Sequence, residues 1–220
     1  MSTLRERLKI IQRSIEQSST KVDRNPSEIA LLAVTKNISP DKILEAVASG
    51  ITLFGESRIQ EAREKIMQFP THLTWHLIGH LQTNKVKEAL ETFQMIQSVD
   101  SLRLAEKIHR MEVQLNKTID ILLEVNIGEE KSKFGFREEE LTAAVSNIKK
   151  WDHLRIRGLM TIAPFLENLE EVRPYFKKMK TLFDRFKDMD ILSMGMSHDF
   201  TIAIEEGSTM VRIGQAIFGK

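Results

Sequence analysis

Short apolar runs, many of them rich in β-branched residues, alternate along this chain with charged stretches in which apolar residues recur at helical spacing. The short runs predict buried strands, and a period near 3.6 predicts amphipathic helices. Several runs are apolar on both faces, which is typical of a parallel sheet covered by helices. The predicted strands are 29–35, 51–54, 73–78, 95–99, 119–127, 154–160, 191–194 and 210–213.

A predicted helix follows each of these strands. Ser39 and Pro40 form an N-cap followed by a proline in the first turn, and Gly50 ends that helix. Ser57 has capping-box spacing to Gln60 and predicts another helix start. The remaining predicted helices are 101–115, 137–150, 169–187, weaker ones after residues 82 and 199, a short one at 215–218, and an additional helix at 4–18 before the first strand.

Eight strand–helix units favour an α/β architecture, a (β/α)8 TIM barrel with an extra N-terminal helix. A doubly wound open sheet is the rival, although it would normally have fewer strands over this length. No stretch rich in Pro, Gly and Ser divides the chain, so we expect a single domain over residues 1–220.

Composition narrows the possible functions. Lys and Arg total 32 against 31 for Asp and Glu, so overall charge gives no reason to expect nucleic acid or an anionic membrane as partner. The chain has no cysteine, which excludes disulfides, thiolate metal sites and a cysteine nucleophile. Neither a secretory leader nor an apolar run of about 20 residues occurs, so we expect a cytoplasmic protein with no membrane partner. A monomer is the default expectation, since no exposed heptad seam is visible.

The chemistry of such barrels gathers where the strands end. Lys36 directly follows the first apolar strand, at the expected mouth of the barrel. Partial desolvation there would favour the neutral amine that attacks an aldehyde to form a Schiff base. Taken alone, however, a lysine at a strand end more often simply reaches solvent.

Small and polar residues surround the ends of the last two strands. Gly195 and Gly214 lie at these ends, Ser193 and Ser197 could donate from hydroxyls, and Arg212 offers a fixed cation. Barrels often hold a phosphate at this place, where a helix begins. Serines acting only as helix caps, with Arg212 paired to a structural acid, form the alternative.

Three evenly spaced histidines, His72, His76 and His80, superficially suggest a metal site. Four-residue spacing aligns ligands only on a helix, and this segment is predicted as strand and turn, so no metal site is predicted. The lysine and the phosphate-binding ends would instead be neighbours around a closed barrel. An aldehyde that carries a phosphate fits both, with pyridoxal 5'-phosphate (PLP) the obvious example and a sugar phosphate the other.

Several longer motifs carry a family resemblance over nearly the whole chain. They are the segments 31–36 (LLAVTK), 54–56 (FGE), 75–85 (WHLIGHLQTNK), 157–160 (RGLM), 192–197 (LSMGMS) with Asp199, 207–214 (GSTMVRIG) and 217–219 (IFG). With these motifs the chain resembles the pyridoxal phosphate homeostasis protein family, single-domain relatives of the alanine racemase N-terminal domain (fold type III of PLP proteins).

The resemblance implies that Lys36 forms the Schiff base with PLP, and that Ser193, Gly195, Ser197, Arg212 and Gly214 surround its phosphate and ring. It also includes the segments 125–126 and 133–135, to which the sequence assigns no role. Where the family usually has Asn after Gly-Glu, this chain has Ser57, which is therefore not counted as a ligand.

Three functions remain open at this point. The resemblance favours a PLP carrier in cofactor homeostasis, with no catalytic residue and with PLP-dependent apo-enzymes as recipients. A PLP-dependent amino-acid racemase is the second reading, but racemisation needs an acid or base on each face of the substrate. The only tyrosine, Tyr175, lies in a charged helical stretch, and the chain ends at Lys220 directly after the barrel. A lysine-dependent sugar-phosphate aldolase is the third.

Overall fold

Eight parallel strands close into a barrel in this computed structural model, which describes residues 2–219. Each strand pairs with its neighbours in chain order, and the last strand pairs with the first through Ala30↔Met210 to Ala33↔Ile213. The strands are β1 (Ala30–Val34), β2 (Leu53–Glu56), β3 (Thr74–Leu77), β4 (Met95–Val99), β5 (Ile119–Glu124), β6 (Leu154–Met160), β7 (Ile191–Ser193) and β8 (Met210–Ile213). The predicted (β/α)8 barrel is therefore confirmed, and the open sheet is excluded.

Helices form the outer layer of the barrel. They are α1 (Leu4–Thr20), α2 (Pro40–Ala48), α3 (Ile59–Ile66), α4 (Val86–Thr92), α5 (Leu102–Leu115), α6 (Glu138–Ile148), α7 (Arg173–Phe183), α8 (Phe200–Glu205) and α9 (Gln215–Phe218), with 3-10 turns at Pro26–Glu28, Thr83–Lys85 and Leu169–Glu171. In the described part of the chain, no helix is long and apolar enough to cross a lipid bilayer.

Three sequence predictions about element ends are wrong. The strand predicted over 51–54 is observed two residues later, as β2. The capping box at Ser57 does not form, since α3 begins at Ile59 with Arg58 as N-cap and no side-chain cap bond. The strand predicted over 119–127 ends at Glu124, because the chain turns at Asn126, whose side chain accepts from Glu130 N at 3.2 Å.

The predicted N-terminal helix is present and covers the last part of the barrel. Thr3 and Glu6 form a capping box at its start, and Leu4, Leu8, Ile11 and Ile15 bury one face of α1. That face packs on α8 and α9, and Arg7 Nε donates to the carbonyl of Ile217 at 2.7 Å. The helix thus anchors the C-terminal end of the chain.

Side chains fill the inside of the barrel in layers, as expected for eight strands. An apolar cluster of Met95, Leu122 and Met160, with Ile191 against it, is separate from the main core between strands and helices. One close approach in the wall requires glycine, because a Cβ on Gly158 would lie 1.7 Å from the carbonyl oxygen of Ile191. The packing of β6 against β7 therefore explains one motif glycine.

Candidate functional site

Lys36 lies one residue beyond Thr35, which follows the end of β1, at the C-terminal ends of the strands that we call the mouth of the barrel. Side chains alternate along a strand, so Lys36 continues the face of Leu32 and Val34. The sequence analysis expected partial desolvation of this lysine. The structure corrects that expectation, since the turn at Lys36 and Asn37 leaves the residue exposed.

A buried polar cluster holds the backbone on both sides of Lys36. Lys65 Nζ on α3 donates to the carbonyl of Thr35 at 2.7 Å and contacts Glu56 Oε1 at 2.8 Å and Glu61 Oε1 at 2.5 Å. Thr35 Oγ1 donates to Glu56 at 2.6 Å, and the backbone N–H of Asn37 donates to Glu61 at 2.6 Å. The backbone on either side of Lys36, the candidate Schiff-base lysine, is therefore fixed by hydrogen bonds to buried or half-buried side chains.

Burial raises the pKa of the Glu56 carboxyl, against the lowering effect of Lys65 and Thr35. Glu56 is 0% exposed, and its Oε2 has no hydrogen-bond partner within residues 2–219. The ion pair with Lys65 is therefore a buried one, in which either charge alone would be costly. The sequence indicated Glu56 only as part of the motif at 54–56, and Lys65, in a charged helical stretch, gave no sign of the ion pair.

The loops after β7 and β8 meet at the mouth, as predicted for Gly195, Ser197 and Gly214. Gly195 has φ +93°, and a Cβ on it would lie 2.6 Å from Ala203 Cβ, so both conformation and space require glycine. Ser197 Oγ accepts from the backbone N–H of Ala216 at 3.2 Å, which joins the loop after β7 to α9. Its own hydroxyl hydrogen donates to no acceptor in residues 2–219, so it can donate to a ligand.

Gly214 connects these loops to β1. A Cβ on Gly214 would lie 3.2 Å from Val34 Cβ, two residues before Lys36. The structure thus brings the loops after β7 and β8 and the strand that leads to Lys36 together at one side of the mouth.

Arg212 begins a directed chain of hydrogen bonds across the inside of the barrel. Its Nη1 donates to Ser193 Oγ at 2.7 Å, and Ser193 Oγ donates to Gln97 Oε1 at 2.7 Å. Gln97 Nε2 lies 2.9 Å from His76 Nδ1, and Arg212 Nη2 donates to the carbonyl of Thr161 at 2.8 Å. The hydrogen of Ser193 is therefore already used, and this serine orients Arg212 rather than donating to an anion.

The guanidinium of Arg212 is buried without a carboxylate in contact. It is 4% exposed, and among the described residues no acidic oxygen lies within 4.0 Å of it. Burial lowers the pKa of Arg212 to about 10, although Glu124 and Asp199 act in the opposite direction. Asp199 is itself occupied, because its carboxylate accepts from the backbone N–H of Met196 at 2.7 Å. Arg212 therefore offers a charge that an anionic or electron-rich ligand would complement.

The three histidines are in separate settings. His76 is buried inside the barrel on Gln97, and burial lowers its pKa to about 4, so it is neutral. His80 lies at the mouth, where its Nδ1 is 2.9 Å from Asp100 Oδ2. His72 lies in the turn before β3 and is exposed.

The loop between β5 and α6, whose role the sequence left open, is tied back onto the strand. The Asn126 side chain donates to the carbonyl of Glu130 at 2.8 Å, and Phe136 N donates to the carbonyl of Glu124 at 2.8 Å. This conformation places Phe134 on His80, with ring centroids 3.7 Å apart. The loop thus builds part of the wall of the mouth.

A cavity of about 270 Å³ opens at the mouth beside these groups. It is lined by residues at the ends of β2, β3, β5 and β6 and by the loop after β5, among them Ser57, Ile78, His80, Glu124, Lys133, Phe134 and Ile162. Glu124 was missed by sequence reasoning, because the strand was predicted to continue past it and an acid in a strand carries no motif. A larger pocket near Gln12 and Gly50 lies at the opposite end of the barrel and has none of these groups.

Sequence comparison with known proteins identifies the family of this chain. Residues 7–220 match the family described as alanine racemase, N-terminal domain. A pyridoxal phosphate homeostasis protein of Aquifex aeolicus is 39% identical over 98% of this chain and 97% of its own length. The protein of the same name from Escherichia coli K12 is 37% identical over 100% and 97%.

Solved structures of related proteins have the same fold. PipY of Synechococcus elongatus, described with PLP bound, is 34% identical and superposes with a TM-score of 0.85 over 99% of this chain and 100% of its own. An alanine racemase of Clostridium difficile, at 18% identity and a TM-score of 0.69 over 95% of this chain and 56% of its own, shares the fold. The chain thus belongs to the pyridoxal phosphate homeostasis protein family, built on the alanine racemase N-terminal domain.

Proposed function

We propose that this chain binds PLP as a Schiff base on Lys36 and serves in intracellular PLP homeostasis rather than in catalysis. The observation that carries the proposal is the meeting of Lys36, the loops at Gly195 and Gly214, and the uncompensated Arg212 at one side of the mouth. The names of the relatives and the PLP-bound PipY support the same cofactor.

The residues present fit such a group. Ser197 has a hydroxyl hydrogen to donate, and Gly195 and Gly214 leave room beside the backbone, so these three would hold the phosphate. Arg212 uses two of its five N–H groups within the protein, and Ser193 would act by orienting it. PLP supplies an aldehyde for Schiff-base formation and an electron-withdrawing ring when bound.

The same residues favour holding over turnover. The fixed guanidinium of Arg212 would disfavour a positive charge on the nitrogen of a pyridine ring held beside it, which would weaken the electron withdrawal needed for fast chemistry. Tyr175, the only tyrosine of the chain, is partly buried on α7 against the main core and does not line the cavity at the mouth. A carrier therefore fits better than a racemase, with PLP-dependent apo-enzymes as recipients and a cytoplasmic monomer as the expected form.

The experiment is a visible spectrum of the purified protein after addition of PLP, followed by borohydride reduction and peptide mapping. A Schiff-base absorption band with the label on Lys36 is the expected result, and an amino-acid turnover assay then compares carrier with enzyme. Lys36→Ala should remove the band and leave the fold intact, since Lys36 is exposed. Lys85→Ala is the matched control, because within residues 2–219 the Lys85 ammonium pairs with Glu88 alone, in a half-buried ion pair.

If the Lys36→Ala variant still carries a borohydride-reduced PLP adduct on a lysine, the Schiff base forms on a residue other than Lys36. A colourless protein with no reducible adduct would exclude PLP binding, and a lysine-dependent sugar-phosphate aldolase would then be the favoured function. That enzyme would be trapped on Lys36 only in the presence of its substrate.

A further inference from the structure

The cavity at the mouth contains a carboxylate that the protein itself does not neutralise. Glu124 ends β5, is 9% exposed and lines the cavity of about 270 Å³. Across residues 2–219 its carboxylate has neither a hydrogen bond nor an ion pair, and Asp100 and Arg212 act on it only through space. A buried charge without a partner is costly, so a ligand that supplies one would bind favourably.

We infer that this cavity binds the ammonium group of a small primary amine, with Glu124 as its ionic partner. The size is at the lower end of small-molecule pockets, which suits a ligand of a few heavy atoms. Ile78 and Ile162 are apolar walls, and Phe134, whose ring is stacked on His80, also lines the cavity.

The neighbouring cation of the protein does not occupy this role. Lys133 lines the same cavity, but its Nζ pairs with Glu130 Oε1 at 2.5 Å and donates to the carbonyl of Ala163 at 3.4 Å. His80 faces Asp100 at 2.9 Å. Lys133 and the His80 ring therefore each face another acid, and Glu124 is left for a ligand.

The electrostatics provide a signature for binding. Burial raises the pKa of Glu124 to about 7, helped by Asp100 and opposed by Arg212. The other titratable groups that line the cavity are His80 and Lys133. A bound ammonium favours the ionised carboxyl, so binding near pH 7 should release part of a proton from Glu124.

A role in cofactor release follows, and this part rests on the proposed function. The bound ammonium would first give a proton to the Glu124 carboxylate. The neutral amine nitrogen would then form a bond to the Schiff-base carbon, the bond from that carbon to Lys36 would break, and a proton would pass from the incoming nitrogen to the departing one. The exchange is balanced without an oxidant or reductant. A cavity that collects amines at the same mouth as Lys36 would therefore regulate how readily PLP leaves this protein.

The test uses the full-length protein freed of PLP, titrated calorimetrically with propylammonium chloride in two buffers of different ionisation enthalpy. Because a hydrogen bond to a charged group contributes about 1.5–3 kcal/mol, Glu124→Gln should weaken binding by about 10- to 100-fold and abolish the proton release. Glu112→Gln is the matched control, since Glu112 is also a buried glutamate with a raised pKa but lies on α5 outside the mouth. 1-Propanol, the neutral analogue, should not bind measurably.

Equal affinity of Glu124→Gln and wild type, or equal binding of 1-propanol, would overturn the inference. Glu124→Asp keeps a carboxylate and should retain part of the binding, which guards against a folding defect in the amide variant. PLP loading on Lys36 is measured separately by absorbance. Amine binding through Glu124 without PLP loading would refute the proposed function alone, whereas PLP loading with amine binding indifferent to Glu124 would refute this inference alone.

Discussion

Replacing Lys65 with methionine should destabilise the protein strongly, because it leaves Glu56 buried without its cation. The two side chains are 9% and 0% exposed, and Nζ lies 2.8 Å from Glu56 Oε1. Removing one member of a buried ion pair typically costs about 3–5 kcal/mol. Lys65 also supports the carbonyl of Thr35 at 2.7 Å, so we expect the upper part of that range at pH 8.

The loss should depend on pH in a definite direction. Burial already raises the folded-state pKa of Glu56, while the unfolded value is ordinary. Without Lys65 the folded pKa rises further, so the folded protein takes up a proton that the unfolded chain lacks. The resulting relief is present at acidic pH and is lost as pH rises through the folded pKa, so Lys65→Met should be less damaging at pH 5 than at pH 8.

Urea unfolding of the PLP-free protein at the two pH values measures this effect. With an m value of about 3 kcal/mol/M, the midpoint at pH 8 should fall by roughly 1–2 M. Lys87→Met is the control, because Lys87 makes only an exposed pair with Glu91 at 4.0 Å and should change stability by less than about 0.5 kcal/mol. A loss below about 1 kcal/mol for Lys65→Met, or a loss independent of pH, would refute the buried-charge explanation.

Three further outcomes follow from the site and the barrel wall. Glu124→Gln should stabilise the PLP-free protein by up to about 3 kcal/mol at pH 8 and little at pH 5, because the folded-state pKa of Glu124, about 7, exceeds the ordinary value of 4.5. Urea unfolding at the two pH values measures the difference, and an equal difference at both would contradict this. Gly158→Ala should lose more than about 3 kcal/mol or fail to fold, since its Cβ would lie 1.7 Å from Ile191 O; a melting temperature near that of wild type would disprove it. Arg212→Ala should release PLP faster on dialysis than Lys85→Ala, and equal retention of the absorption band would remove Arg212 from the site.

The sequence predicted the architecture well, because alternating strand and helix periods are local signals. Six strands, including Met95–Val99 and Leu154–Met160, were placed to within one residue at each end. Where the predicted end of an element is wrong, the cause is local, such as the Asn126 side chain that turns the chain after β5.

Candidate site residues could be predicted only where they follow strand ends in recognisable motifs. Lys36, Gly195, Ser197 and Gly214 do meet at the mouth, as closure of the barrel requires. Residues whose role depends on contacts between distant segments, such as Lys65 under Thr35, gave no sequence signal. The exposure of Lys36 was also unforeseen, because the turn after β1 is set by the clamp on Asn37.

The hydrogen-bond chain from Arg212 to His76 does not conduct protons. Its donors all point one way, and a proton could pass along it only if the amide of Gln97 reversed and gave up its contact with Met210 Sδ at 3.2 Å. Neutral His76 at the far end offers no exchangeable charge near neutral pH. The interior of the barrel therefore cannot feed protons to the mouth, and any proton that reaches a ligand there must arrive from solvent or from the groups on the rim.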